Sequence, residues 1–148
     1  MKNRTYKYTE KEPLYPFGFG LTYGKVTITD ASVSDSTSAA RENGFDVKVS
    51  VKNEGGIRTD EVVQIYAKAL EDKNEVRNYK LAGFKRITLE AGESADVVIS
   101  ITADSLKVVT DDGERVTPTG KIAIYAGFGQ PDKRTAELYG SEAVEMTV

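Results

Sequence analysis

The sequence predicts an all-β sandwich of antiparallel strands. Three observations predict it. Several short segments carry apolar residues at every second position, the period of a half-buried strand. Clusters of Gly, Asn, Asp, Ser and Pro separate these segments, as turns require. No stretch keeps the three-to-four-residue apolar spacing of a long amphipathic helix. The 148 residues suffice for one domain with a core. With no cysteine, that core must be held by apolar burial rather than by disulfides.

The elements follow in order. Residues 1–13 are polar, with Tyr6 and Tyr8 scattered among charges, and carry no core pattern. Lys25–Val33 opens with Val26 and Ile28 alternating with Thr27 and Thr29, a first strand. Ser34–Gly44 is rich in loop residues. Phe45–Val51 is the clearest strand: Phe45, Val47, Val49 and Val51 point one way and Asp46, Lys48 and Ser50 the other. After the Asn53–Gly56 turn, Glu61–Ala69 is a third strand with Val63, Ile65 and Ala67 inward. Leu70–Tyr79 is charged and aperiodic, a loop long for a tight sandwich.

Leu81–Leu89 and Ser94–Thr102 are strands flanking a turn at Glu90–Glu93. Ala103–Leu106 fits one helical turn. Asp111-Asp112-Gly113 between two short apolar runs predicts a hairpin. Lys121–Ala126 is a strand, Gly127–Gly140 a polar loop, and Ala143–Val148 a closing edge strand. Seven to nine short strands without a long helix make an immunoglobulin or fibronectin type III-like β-sandwich. Residues 24–148 are expected to make up this sandwich, and residues 1–23 an extended linker leading into it.

The stretch Tyr15-Pro16-Phe17-Gly18-Phe19-Gly20-Leu21-Thr22-Tyr23 alternates large and small side chains. Period two, with Pro16 and two glycines, predicts an extended ribbon with an aromatic side and a bare side that admits a close neighbour. Each ring can bury about 150–250 Å², so the aromatic side is expected to pack. Phe17, Phe19 and Leu21 are expected against the sandwich, with the tyrosines nearer the N-terminus exposed.

Composition limits the chemistry. A net charge of −3 with mixed signs gives no basic footprint for nucleic acid. No apolar run reaches a membrane span, and the polar N-terminus lacks the apolar segment of a signal peptide. Without histidine or cysteine, Ser-His and Cys-His nucleophiles and histidine metal sites are ruled out. The neighbouring carboxylates Asp60/Glu61 and Asp111/Asp112 diverge or sit in turns, so neither makes a facing acid/base pair. No cofactor is expected. Asp111 and Asp112 lack the spacing of a calcium loop, so no metal site is expected either.

Several motifs in order carry a resemblance: Leu14–Tyr23, Val49–Gly55, Asp60–Tyr66, Leu81–Ile87, Leu89–Glu93 and Tyr125–Arg134. Together they resemble the C-terminal fibronectin type III-like domain of glycoside hydrolase family three, which includes β-glucosidases and β-xylosidases. Arg58-Thr59-Asp60, Val76-Arg77-Asn78 and Thr119-Gly120 depart from the family's usual loop residues. In that family the nucleophile and the acid/base lie in other domains, so the resemblance places no catalytic residue in this chain. It implies a non-catalytic accessory domain that stabilises and orients the catalytic domains of the same parent chain, with residues 1–23 as the linker from a preceding catalytic-half domain.

Interdomain packing would fall to Tyr15, Pro16, Phe17, Gly18, Phe19, Gly20, Leu21 and Tyr23. A loop at the active-site mouth would present Asn74, Arg77 and Tyr79, touching either the catalytic domains or the outer part of a bound oligosaccharide. A docking loop would present Gln130, Asp132 and Arg134. The alternatives are a free-standing carbohydrate-binding module and a cell-surface protein-interaction sandwich. The parent's compartment is open.

Overall fold

The computed structural model describes residues 5–148, so the first four residues of the expected linker lie outside it. Two sheets face each other. One is three-stranded, in the order β1 (Val26–Val33), β2 (Phe45–Asn53), β5 (Ser94–Ile101). The other is four-stranded, in the order β4 (Lys80–Leu89), β3 (Thr59–Ala69), β8 (Ile122–Gly127), β9 (Val144–Thr147). All pairings are antiparallel. A short hairpin, β6 (Val108–Val109) with β7 (Arg115–Val116), turns at Asp111-Asp112-Gly113. Among the described residues, seven strands in two facing layers, with this hairpin beside them, make the predicted immunoglobulin-like sandwich.

The core follows from alternation. Val47, Val49 and Val51 of β2 are at most 1% exposed and face Val63, Ile65 and Ala67 of β3. Ile99 and Ile101 of β5 and Ile122 and Ile124 of β8 fill the same layer. Opposite them, Asp46, Lys48 and Ser50 meet solvent and pair across strands: Lys48 with Asp96, Ser100 with Asp46. These surface pairs contribute register more than stability.

Three short helices interrupt the strands. α2 (Ala103–Leu106) stands at the expected helical turn. α1 (Ala40–Asn43) and α3 (Lys133–Tyr139) occupy segments expected to be loops. The α3 helix has a physical cause. Asp132 Oδ1 accepts from Thr135 N at 2.7 Å, and Gly140 closes the helix with φ of 72°. These are the cap residues a helix needs at its two ends, and they bracket only seven residues.

The long loop before β4 is not loose. Glu75 is turned inward, accepting from Ala69 N and Val76 N. Its carboxylate lies 3.3 Å from Lys80 Nζ, and the two side chains are 5% and 10% exposed. Lys80 also donates to Leu106 O and Lys107 O. Burial pushes the Lys80 ammonium down, while Glu75 holds it charged. Removing one partner of such a pair strands the other. Lys80→Met is therefore expected to cost about 3–5 kcal/mol in urea denaturation, and the Glu75→Gln/Lys80→Met double variant to recover most of that loss. An equal loss in both would contradict the pairing.

Candidate functional site

Strand β3 is buried on both faces. Its inner face joins the core; its outer face carries Gln64 and Tyr66, at 7% and 0% exposure. What covers them is the N-terminal ribbon. Gln64 Nε2 donates to Gly18 O and to Phe128 O, both at 2.8 Å. Tyr66 Oη donates to Gln64 Oε1 at 2.7 Å and lies 3.3 Å from Phe17 O. Burial pushes the Tyr66 phenol far above its ordinary range, so it stays a donor.

The ribbon is not one extended strand. Phe19 N donates to Pro16 O, closing a turn in which Gly18 has φ of 80°. A side chain at Gly18 would also meet Gln64 Oε1 at 2.1 Å and Tyr66 Oη at 2.5 Å. The bare side, expected to admit another backbone, instead meets the side chains of Gln64 and Tyr66 at Gly18. Gly20 faces open space. Its backbone instead meets the Tyr139 hydroxyl of α3, which accepts from Gly20 N and donates to Gly20 O at 3.0 Å. Thr22 and Thr59 share a hydrogen bond of 2.6 Å.

The turn splits the rings into two groups. Phe17 stacks on Tyr6 at 3.7 Å between centroids and meets Tyr66 edge-on. Phe19 lies between Tyr15 and Tyr139. The expected burial of all three apolar residues is corrected accordingly. Phe19 is half-buried, Phe17 is 38% exposed, and Leu21 is 92% exposed. Past the turn Leu21 and Tyr23 point outward and are almost fully exposed among the described residues. Tyr6, expected to be exposed, is half-buried by its stack on Phe17. Pro16 is buried.

The loop residues separate. Arg77 turns toward the ribbon and lies 3.7 Å from Glu10, both well exposed. Tyr79 turns the other way, onto Tyr125 with ring centroids 5.0 Å apart. Asn74 sits in an Asx turn on Asp72 and lines a different pocket, beside Lys7, Glu75 and Lys80. The Gln130–Arg134 stretch lies against the ribbon. Gln130 N donates to Phe17 O, Asp132 caps α3, and Arg134 Nε donates to Leu14 O at 3.3 Å.

These parts enclose an open groove of about 600 Å³. Thr5, Tyr6 and residues 9–13 line one side; Tyr15, Phe17, Arg77, Asn78, Gln130 and Arg134 are among those completing it. Three sequence-predicted groups thus meet in one place, without Asn74 and Tyr79. Asp60 is away from it, bound by Arg86 and Thr88, which hold its carboxyl below the ordinary range. Neighbouring Glu61 points to the other face of β3, and burial pushes it up. Among the described residues no group of three potential metal ligands converges. No helix in them is long and apolar enough to cross a membrane.

Sequence reasoning passed over Gln64, Tyr66, Asn78 and Tyr139. Only Gln64 left a signal: an amide inside the apolar run Val62-Val63-Gln64-Ile65-Tyr66 calls for a buried partner.

Comparison with known proteins matches the fibronectin type III-like domain family over residues 61–130. The chain is 38% identical over 137 residues to a β-xylosidase of Formosa agariphila, covering 90% of this chain and 18% of that one. It is 32% identical over 139 residues to a xylan 1,4-β-xylosidase of Xylanibacter ruminicola, covering 93% and 16%. Among solved structures it superimposes on DesR, a β-glucosidase from Streptomyces venezuelae in complex with D-glucose. That match has a TM-score of 0.73 and 28% identity, covering 93% of this chain and 16% of the other. The chain spans less than a fifth of each of these proteins.

The Gln64–Tyr66 pair makes a direct prediction. Tyr66→Phe leaves Gln64 Oε1 buried without its donor. It is expected to cost about 1–3 kcal/mol, read by thermal denaturation, and to raise protease sensitivity around Gly18. A neutral Tyr66→Phe would show that the ribbon does not depend on this bond.

Proposed function

The chain carries a fibronectin type III-like domain related to those of β-xylosidases and β-glucosidases, and from that premise we propose that it is a non-catalytic accessory domain of a family-three β-glycosidase. It stabilises and orients the catalytic domains of the parent chain, and the ribbon side is where they dock. One observation carries this reading. Tyr8, Leu14, Tyr15, Phe17, Leu21 and Tyr23 are all exposed large apolar residues within one short segment, while the others are scattered over the sandwich. That segment is held firmly by Gln64, Thr59 and Tyr139, so its exposure is not that of a loose tail. A clustered apolar surface on a fixed scaffold is what a docking face requires.

The groove supports a finer role for Arg77. Its partner Glu10 is exposed, so the pair is weak and the guanidinium is free to serve a neighbour. In the parent enzyme Arg77 reaches the active-site mouth and contacts the outer part of a bound oligosaccharide. Direct stacking of a sugar on the rings has less support, because Tyr6 and Phe17 already cover each other.

Two measurements test these statements. The Leu21→Ser/Tyr23→Ser variant is expected to be neutral within about 0.5 kcal/mol in the 148-residue chain, because both side chains are already exposed. In the parent enzyme it is expected to destabilise by about 2–4 kcal/mol, because docking buries them. Equal neutrality in both settings would sink the docking reading. Arg77→Ala in the parent is expected to raise KM severalfold with kcat unchanged, the pattern of lost uniform binding. Unchanged kinetics would remove Arg77 from the active-site mouth.

A further inference from the structure

Residues Thr5 to Thr9 form a closed turn: the amides of Tyr8 and Thr9 both donate to Thr5 O, at 3.1 and 3.0 Å. One residue of the sandwich takes hold of that turn. Asn78 N donates to Lys7 O at 3.0 Å. Its Nδ2 donates to Tyr6 O at 2.7 Å and to Thr9 O at 3.0 Å. Every proton that Asn78 can donate goes to a backbone carbonyl of the incoming segment. The loop behind Asn78 is braced. Lys68 Nζ donates to the carbonyls of Val76, Arg77 and Asn78, and Glu75 is tied to Lys80.

We propose that Asn78 is a latch: it docks the incoming segment onto the sandwich and thereby assembles the groove. Thr5, Tyr6 and residues 9–13 form one wall of the groove, and Arg77, Asn78, Gln130 and residues 132–134 form the other. The first wall has no strand or helix of its own, so its place depends on what binds it. The latch reads carbonyl positions rather than side chains, so it selects the shape of the turn. Carboxamide chemistry is required. Aspartate would present oxygens to two carbonyl oxygens, and proline would lack every one of these donors. In the parent enzyme the same latch sets the direction from which the preceding domain's chain arrives, a consequence that rests on the docking reading above.

Hydrogen–deuterium exchange on the 148-residue chain tests the latch without the parent. Asn78→Ala and the size-matched Asn78→Asp are expected to speed exchange of the Tyr8 and Thr9 amides by about tenfold or more, while amides of β2 and β3 keep their protection. Tyr6→Ala separates stacking from latching: it removes the ring but keeps the three hydrogen bonds, and should accelerate those amides less. Unchanged exchange in both Asn78 variants overturns the proposal. So does an equal acceleration throughout β2 and β3, which would mark Asn78 as a general stability residue. If the Asn78 variants loosen the turn while Leu21→Ser/Tyr23→Ser is neutral in the parent, the latch stands and the docking reading falls.

Discussion

The outer face of β3 sets the terms for everything around it. A strand in a sandwich ordinarily buries one side and wets the other. Here Gln64 and Tyr66 are buried on the side that would be wet, and neither tolerates burial without partners. Their requirements are met together: the phenol donates to the amide oxygen, and the amide nitrogen donates to Gly18 O and Phe128 O. This constraint fixes the ribbon on the sheet, requires a residue without a side chain at position 18, and brings the loop after β8 alongside. The groove follows from that placement, as does the exposed apolar surface proposed for docking.

The sandwich was legible because its strands are written in the simplest periodic code. Val47, Val49 and Val51 against Asp46, Lys48 and Ser50 leave one orientation for β2, and its neighbours follow. The misread segments lack such a code. In α3, seven residues are too few to display a helical period, and the Asp132 and Gly140 caps are the real signal. The ribbon's alternation of large and small residues does suit an extended chain, yet Gly18 turns it, because two side chains dozens of residues away occupy the space beside it. Leu21 was misplaced for another reason. Its size argues for burial, but none of the described residues covers it.

The polar anchors explain why the groove was only half visible. Arg77 and Arg134 stand out as charges in loops, whereas Asn78 looks like any loop residue. Its partners are three carbonyls, which have no signature in a sequence, since every residue carries one. The same holds for Lys68, whose ammonium braces the 76–78 backbone. Backbone-directed polar contacts hold this side of the molecule together, and they become readable only when the chain is folded.

The ribbon also has a place in time. Residues 16–22 are synthesised before the groups that seat them: Gln64 is 46 residues on from Gly18, and Tyr139 is 119 residues on from Gly20. Contacts of such separation form late, after the intervening chain has been ordered. During synthesis the aromatic stretch therefore waits uncovered until α3 emerges, and the sandwich must close behind it rather than grow outward from it. Seating of Gly20 by Tyr139 thus requires that nearly all of the domain has been synthesised.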